Sequence, residues 1–407
     1  MTVRASAATG TDLRRARVAA VATAVVFAAN GALYGSWVTR IPAVRDHVAA
    51  DPGALGLALL CLGGASLLSM PTTGALVRRF GSRAVCTVTA LLSAVGFTLA
   101  GTVPTVWALG IALGFAGLSW GVWDVAMNVQ GHDVERRLGR DIMPRYHACW
   151  SGGSIVGSAA GAVVASHGIL PSWHFGVAGA AMFVGTTLAA TRFLPDRTHA
   201  ATQPAGEHHR PAWRVLDTRL ALIGLLCLCG TICEGAASDW LTLLFHDGRG
   251  ASPGAAAAAF TTYTAAMAAG RFLGTNTIAA LGRTRALRLT GLVAAVGIAC
   301  ALVVPTYAGG LVGTALWGLG ISIVFPAAMS SAGDAGRRPA DAIAAVSTVG
   351  YGGFLIGPPL IGFLARAFEL RNALWVVAVL AGGIAVLAFT AGQRRYATGG
   401  DRHDAGR

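Results

Sequence analysis

The sequence predicts an all-α membrane protein: twelve transmembrane helices in two pseudo-symmetric six-helix halves. Three observations predict it. First, 54% of the 407 residues are hydrophobic and only 12% are charged, about half the charged fraction of an average soluble domain. That leaves too little polar material to cover a water-exposed surface. Second, the apolar residues are grouped in runs of about 20, the length that crosses a bilayer core as a helix. Third, the two halves of the chain echo each other. Gly152-Gly153 with Gly157 matches Gly352-Gly353 with Gly357, and Ala126-Met127 before Gly131 matches Ala328-Met329 before Gly333. Repeated halves with a site between them are a common plan for membrane carriers.

Run length places the spans at about 17–39, 54–76, 84–102, 105–130, 145–166, 172–194, 219–244, 255–278, 285–304, 308–331, 341–366 and 371–392. Gly and Pro inside them are compatible with membrane helices, where both are common. The organisation follows: a tail over 1–16, a six-helix half over 17–194, a linker over 195–218, a second half over 219–392 and a tail over 393–407. The linker is rich in Pro, His and Arg, and its His199, His208 and His209 read as solvated residues rather than metal ligands. The first apolar run follows a polar stretch and has no small-residue cleavage site in a natural position. It reads as helix 1 and not as a removed signal.

Orientation comes from arginine. All 31 basic residues are Arg, and there is no Lys. Alternate connections, starting with the N-terminal tail, hold 25 of them. The opposite connections hold only Arg40, Arg45, Arg249, Arg366 and Arg371, while Arg271 lies inside the eighth span. The positive-inside rule puts the Arg-rich connections and both termini in the cytoplasm. The net charge of +13 therefore reports orientation and implies no nucleic-acid partner. The seven cysteines sit in or at the ends of apolar runs, as small hydrophobes do, and form no secreted disulfide pattern.

Certain strings resemble a known family. Gly74-Ala-Leu-Val-Arg78-Arg79-Phe-Gly81-Ser-Arg83, after the second span, resembles the loop 2–3 signature of the major facilitator superfamily, with Arg78 where that signature has an Asp. Leu-Gly282-Arg-Thr-Arg285 repeats part of it after the eighth span. Gly35-Ser-Trp-Val-Thr-Arg40-Ile-Pro-Ala-Val-Arg45-Asp46, Asp124-Val-Ala-Met-Asn128 and Glu234-Gly-Ala-Ala-Ser-Asp239-Trp240 resemble the bacterial YbjJ/MosC-like branch. The resemblance implies a major facilitator fold in a bacterial inner membrane, acting as a monomer on a small-molecule solute. It implies alternating access around a site built from spans 1, 4, 7 and 10. It also implies a cytoplasmic gate loop at Gly74, Arg78, Arg79, Gly81 and Arg83, whose charge pattern the missing Asp changes.

The residues themselves point to candidate sites. Of 18 acidic residues, only Asp124, Glu234 and Asp239 fall inside spans, with Asp341 at the very edge of the eleventh. An ionisable group in a bilayer is costly and faces a cavity or a partner. Glu234 falls near mid-membrane on a polar stripe with Cys227, Thr231, Ser238 and Thr242, and is the first candidate for proton coupling. Asp124, one turn before Asn128, is the second; a structural hydrogen bond is the alternative. Asp239 lies about 140° around the helix from Glu234 and reads as an interfacial residue beside Trp240. Arg271 either binds an anionic solute, pairs with Asp124 or Glu234, or reaches toward the interface. Thr23, Asn30, Tyr34 and Trp37 stripe the first span, and Asn30, Tyr34, Asn128 and Arg271 form the candidate solute-binding set.

Other classes are excluded. Without Lys no G-x-x-x-x-G-K-[ST] loop exists, so the chain does not hydrolyse ATP by that route, and no convincing H-E-x-x-H or G-x-S-x-G site appears. No enzyme activity, cofactor or metal is expected. The expected function is secondary active transport of a small polar solute coupled to protons. The alternatives are efflux by proton antiport and a membrane sensor that binds without moving its ligand.

Overall fold

The computed structural model describes residues 10–139, 142–195, 217–335 and 339–392. Most of the linker, with His199, His208 and His209, and most of both tails lie outside the described residues. The first half comprises α1 (Gly10–Val38), α2 (Ile41–His47), α3 (Pro52–Ser69), α4 (Thr73–Ala100), α5 (Val106–Leu138), α6 (Met143–Ser166) and α7 (Pro171–Ala190). The second comprises α8 (Thr218–Arg249), α9 (Pro253–Leu281), α10 (Arg283–Val303), α11 (Tyr307–Ile321), α12 (Val324–Ala335), α13 (Pro339–Phe368), α14 (Leu370–Ala373) and α15 (Trp375–Leu387). No strand occurs among the described residues.

Ten helical stretches among the described residues are long and apolar enough to cross a membrane. One of them, Pro52–Ala100, is 49 residues long, more than two bilayer cores at about 1.5 Å per residue. It is two helices folded back on each other. A Cβ at Gly117 of α5 would meet Leu62 O at 2.2 Å, and one at Gly96 would meet Ala116 Cα at 2.8 Å. Leu62 and Gly96 thus sit at one level of α5, so the chain reverses between them. The reversal is Gly81, at φ 80°, ψ 151°, a region open essentially to glycine alone. The expected gate loop is therefore a single residue between helices, with Arg78, Arg79 and Arg83 exposed around it. The 29-residue α9, an Ala-rich helix interrupted by Thr, Tyr, Asn and Arg271, falls outside the ten. Dividing the long stretch at Gly81 and including α9 gives twelve helices of crossing length among the described residues.

Four spans differ from expectation. α1 starts at Gly10, several residues before 17, so part of the expected tail is helical. The tenth span is not continuous: it turns at Ser322 and Ile323 between α11 and α12. α5 and α8 run to Leu138 and Arg249, beyond their apolar runs.

The duplication reaches into local structure. Gly282 repeats the Gly81 backbone at φ 75°, ψ 154°. Asp51 accepts from the Gly53 and Ala54 N–H groups at the start of α3, and Ser252 accepts from Ala255 N–H at the start of α9. Thr105 and Thr306 cap α5 and α11 in the same way. Each pair is 201 residues apart.

Each half is organised around a close helix pair. In the first, α1 and α6 approach through glycine: a Cβ at Gly31 would stand 2.0 Å from Trp150 O, and one at Gly153 2.0 Å from Ala28 O. In the second, α8 and α13 take the same roles, with Gly353 against the Thr231 hydroxyl. Gly152 faces open space. We expect Gly153→Ala to lower the melting temperature and folded yield of the purified protein, and Gly152→Ala to leave both unchanged, as read by thermal denaturation in detergent.

Candidate functional site

The halves meet along two seams, α3 with α13 and α6 with α9. A Cβ at Gly362 would lie 2.5 Å from Pro52 O, and one at Gly56 2.6 Å from Pro358 O. Farther along the same seam the gap opens: the nearest atoms to Gly63 and Gly64 are Phe354 O at 3.7 Å and Leu355 Cδ2 at 3.8 Å. On the other seam the Thr261 hydroxyl donates to the Ser158 hydroxyl at 3.0 Å. The tight end is the Arg-poor one.

Ion pairs reinforce that end. Arg45 on α2 donates to both Asp247 oxygens, one at 2.9 Å, and to its neighbour Asp46. His246 Nε2 stands 3.7 Å from Asp46. Partial burial works against the Arg45 charge, but hydrogen bonds to Asp247 and Asp46 outweigh it and hold its pKa above the ordinary value. Arg45 and His246, and Asp46 and Asp247, are each 201 residues apart. The basic residue of each half therefore meets the acidic residue of the other.

Above this seal lies a cavity of about 230 Å³. Its walls come from α1, α3, α4 and α5 on one side and from α8 and α13 on the other. Tyr34 lines it, tilted against Trp120 at 5.8 Å and Trp150 at 5.7 Å between ring centres. Phe97 meets Trp120 edge-on at 5.8 Å, and Tyr351 and Phe354 face them from α13. The polar lining consists of Ser66, Ser238, the Tyr34 and Tyr351 hydroxyls and Asp239.

This corrects the reading of Asp239. It is not an interfacial residue pointing away from the site: it lines the cavity beside Ser238 and Gly235. The angle from Glu234 holds, but the cavity lies on the Asp239 side of the helix. Gly235, four residues before Asp239 and on the same face, is the signal in the sequence that marks that side.

The other candidates divide. Tyr34 lines the cavity, but Asn30 does not: it is buried, and its Oδ1 accepts the Trp150 indole N–H at 2.8 Å. It positions Trp150 against Tyr34. Trp37, from the same stripe, is buried against Phe97 and Phe175. Asn128 donates to the backbone carbonyl of Asp124 at 2.8 Å, and both are half-buried outside the cavity lining. Of the three roles open to Arg271, the structure shows pairing: its Nη2 donates to Glu234 Oε1 at 3.1 Å, between α9 and α8. The aromatic wall of Trp120, Tyr351 and Phe354 escapes sequence reasoning because its rings are scattered over two helices. Among the described residues no group of three metal-ligating side chains occurs.

Relatives agree with this architecture. The Major Facilitator Superfamily profile matches residues 19–352 and 244–404. The chain belongs to the Major Facilitator Superfamily. It is 33% identical to an uncharacterized transporter, y4wD, of Sinorhizobium fredii over 89% of this chain and 95% of that one. It is 28% identical to the membrane protein MosC of Rhizobium meliloti over 88% of this chain and 86% of that one. Among solved structures, a mutant form of the nucleoside transporter NupG superposes with a TM-score of 0.78 at 14% identity, over 92% of this chain and 99% of that one. A bacterial homolog of the human lysosomal transporter Spinster, inward-facing and unoccupied, gives 0.74 at 13% identity, over 93% and 97%. The protein is thus a multi-pass membrane transport protein for a small-molecule solute and not an enzyme.

The Glu234–Arg271 pair yields a quantitative expectation. Arg271→Met strands a carboxylate in the membrane, and we expect it to destabilise the fold by about 1–2 kcal/mol, given that both side chains are partly exposed. Adding Glu234→Gln should recover most of that loss, as measured by a double-mutant cycle on thermal stability.

Proposed function

We propose that the protein is a secondary active carrier that moves a small organic solute by alternating access and couples this movement to protons. One observation carries the reading: the cavity is walled by both halves and sealed by the seams and ion pairs of the Arg-poor end. With Arg-rich connections in the cytoplasm, the seal faces outside and the conformation is inward-facing. Both termini are then cytoplasmic, and the chain works as a monomer in the bacterial inner membrane. A cavity reached from one side at a time needs the halves to rock, which breaks the seal and closes the Arg-rich end, where Gly74, Arg78, Arg79, Gly81 and Arg83 lie.

Glu234 is the proposed coupling residue. Charged, it holds Arg271 across α8 and α9. Protonated, it releases Arg271 and loosens α9, which carries one seam between the halves through Thr261. A proton can bias a two-state equilibrium only through such a difference between states. Asp124, on α5, is the second candidate.

Internal pH of liposomes containing the purified protein tests this. Under an imposed proton gradient, addition of a transported solute should drive a proton flux that Glu234→Gln abolishes while solute binding persists. Unchanged coupling in Glu234→Gln removes Glu234 from the role. Ligand binding with no flux in any form of the protein favours the sensor alternative instead.

The seal is testable separately. Asp247→Asn removes the negative charge that Arg45 meets across the seal. For partly exposed pairs the effect is about 1 kcal/mol, a population shift of about fivefold. Spin labels at Ala50 and Ala251 should then show a larger share of long distances by double electron–electron resonance.

A further inference from the structure

We infer that the cavity takes an organic cation, with its ammonium group against Asp239 and its apolar body among the rings of Tyr34, Phe97, Trp120, Tyr351 and Phe354. The inference rests on the carrier reading of the cavity and goes beyond it to the solute's charge. Three features on the cavity wall lead there. Asp239 is the only ionisable acid or base among the lining residues apart from tyrosine, and it makes no ion pair or hydrogen bond with the described residues. The guanidinium of Arg271, the one arginine within a span, is engaged by Glu234. A lone carboxylate in a membrane protein needs a partner to offset its cost, and within the cavity that partner has to arrive from outside.

The second feature is the rings. Five aromatic side chains from α1, α4, α5 and α13 surround the space. Ring faces carry negative potential and attract cations, ammonium ions included. An anion would meet both these faces and a carboxylate. The third is scarcity of donors. The lining has hydroxyls and the Trp120 indole N–H but no Asn, Gln, His, Arg or Lys, so a sugar-like solute would leave most of its polar groups unpaired. This departs from the polar solute that the sequence suggested, because Asn30, the amide behind that suggestion, is turned to Trp150.

The test uses the full chain in lipid nanodiscs and four probes: phenethylammonium, cyclohexylammonium, uncharged phenethyl alcohol and anionic hydrocinnamate. Calorimetric titration and thermal shift should show saturable binding of the ammonium probes alone. Asp239→Asn should weaken it by about tenfold or more, and Trp120→Leu should weaken it several-fold while keeping the carboxylate. If Asp239→Asn does not fold, Trp120→Leu and the charge series still decide. Failure of both ammonium probes to bind, equal binding of the alcohol or the acid, or unchanged ammonium binding in Asp239→Asn overturns the inference. Ammonium binding without flux in liposomes keeps the cation site and overturns the carrier reading. Flux of uncharged or anionic solutes without ammonium preference does the reverse.

Discussion

The close approach of α1 to α6, and of α8 to α13, is the contact on which the rest depends. Helices in lipid gain little from burying apolar surface, so association relies on packing at short range. Glycine at Gly31, Gly35, Gly153 and Gly157 lets the first pair touch backbone to backbone. That contact carries Trp150 onto Asn30 and Tyr34. In the second pair, a Cβ at Gly235 would meet the Phe354 ring at 3.3 Å, which brings that ring to the same helix turn as Asp239. Both cavity walls are thus set by helix pairs inside a half, and the seam between halves stays free to change.

The three embedded carboxylates occupy three environments. Glu234 has its own arginine, so its charge is balanced within one half. Asp124 stands on α5 with Asn128 bonded to its backbone carbonyl. Asp239 faces the space between halves. A membrane protein that leaves one acid unbalanced at a cavity and balances another nearby separates two tasks. On the proposed reading, one group meets the ligand and the other responds to its neighbouring helix.

Much of the fold was legible because membrane helices announce themselves by length and composition. Both Gly81 and Gly282 stood out in the repeated strings, and both are sharp backbone turns. The break at Ser322 was hidden because an apolar run continues through it. The site was less legible. Pairing of Arg271 with Glu234 was one of the choices open to the sequence, since each charge in a span needs a partner. Which face of α8 meets the cavity depends on how two halves dock, and no periodicity within one helix carries that. For the same reason Asn30 and Tyr34 shared a stripe yet took different work. The only trace of the seal in the sequence is a basic–acidic pair, Arg45-Asp46, repeated 201 residues on as His246-Asp247.

That crossed seal has a consequence for ancestry. Because the basic residue of each half meets the acidic residue of the other, the two contacts are versions of one contact related by the pseudo-twofold axis. A single six-helix unit carrying one basic and one acidic residue at the end of its first span could close against its own copy. The seal therefore needs no invention after duplication. Fusion of two copies inherits it complete, and later change is free to turn one arginine into a histidine while the other still holds.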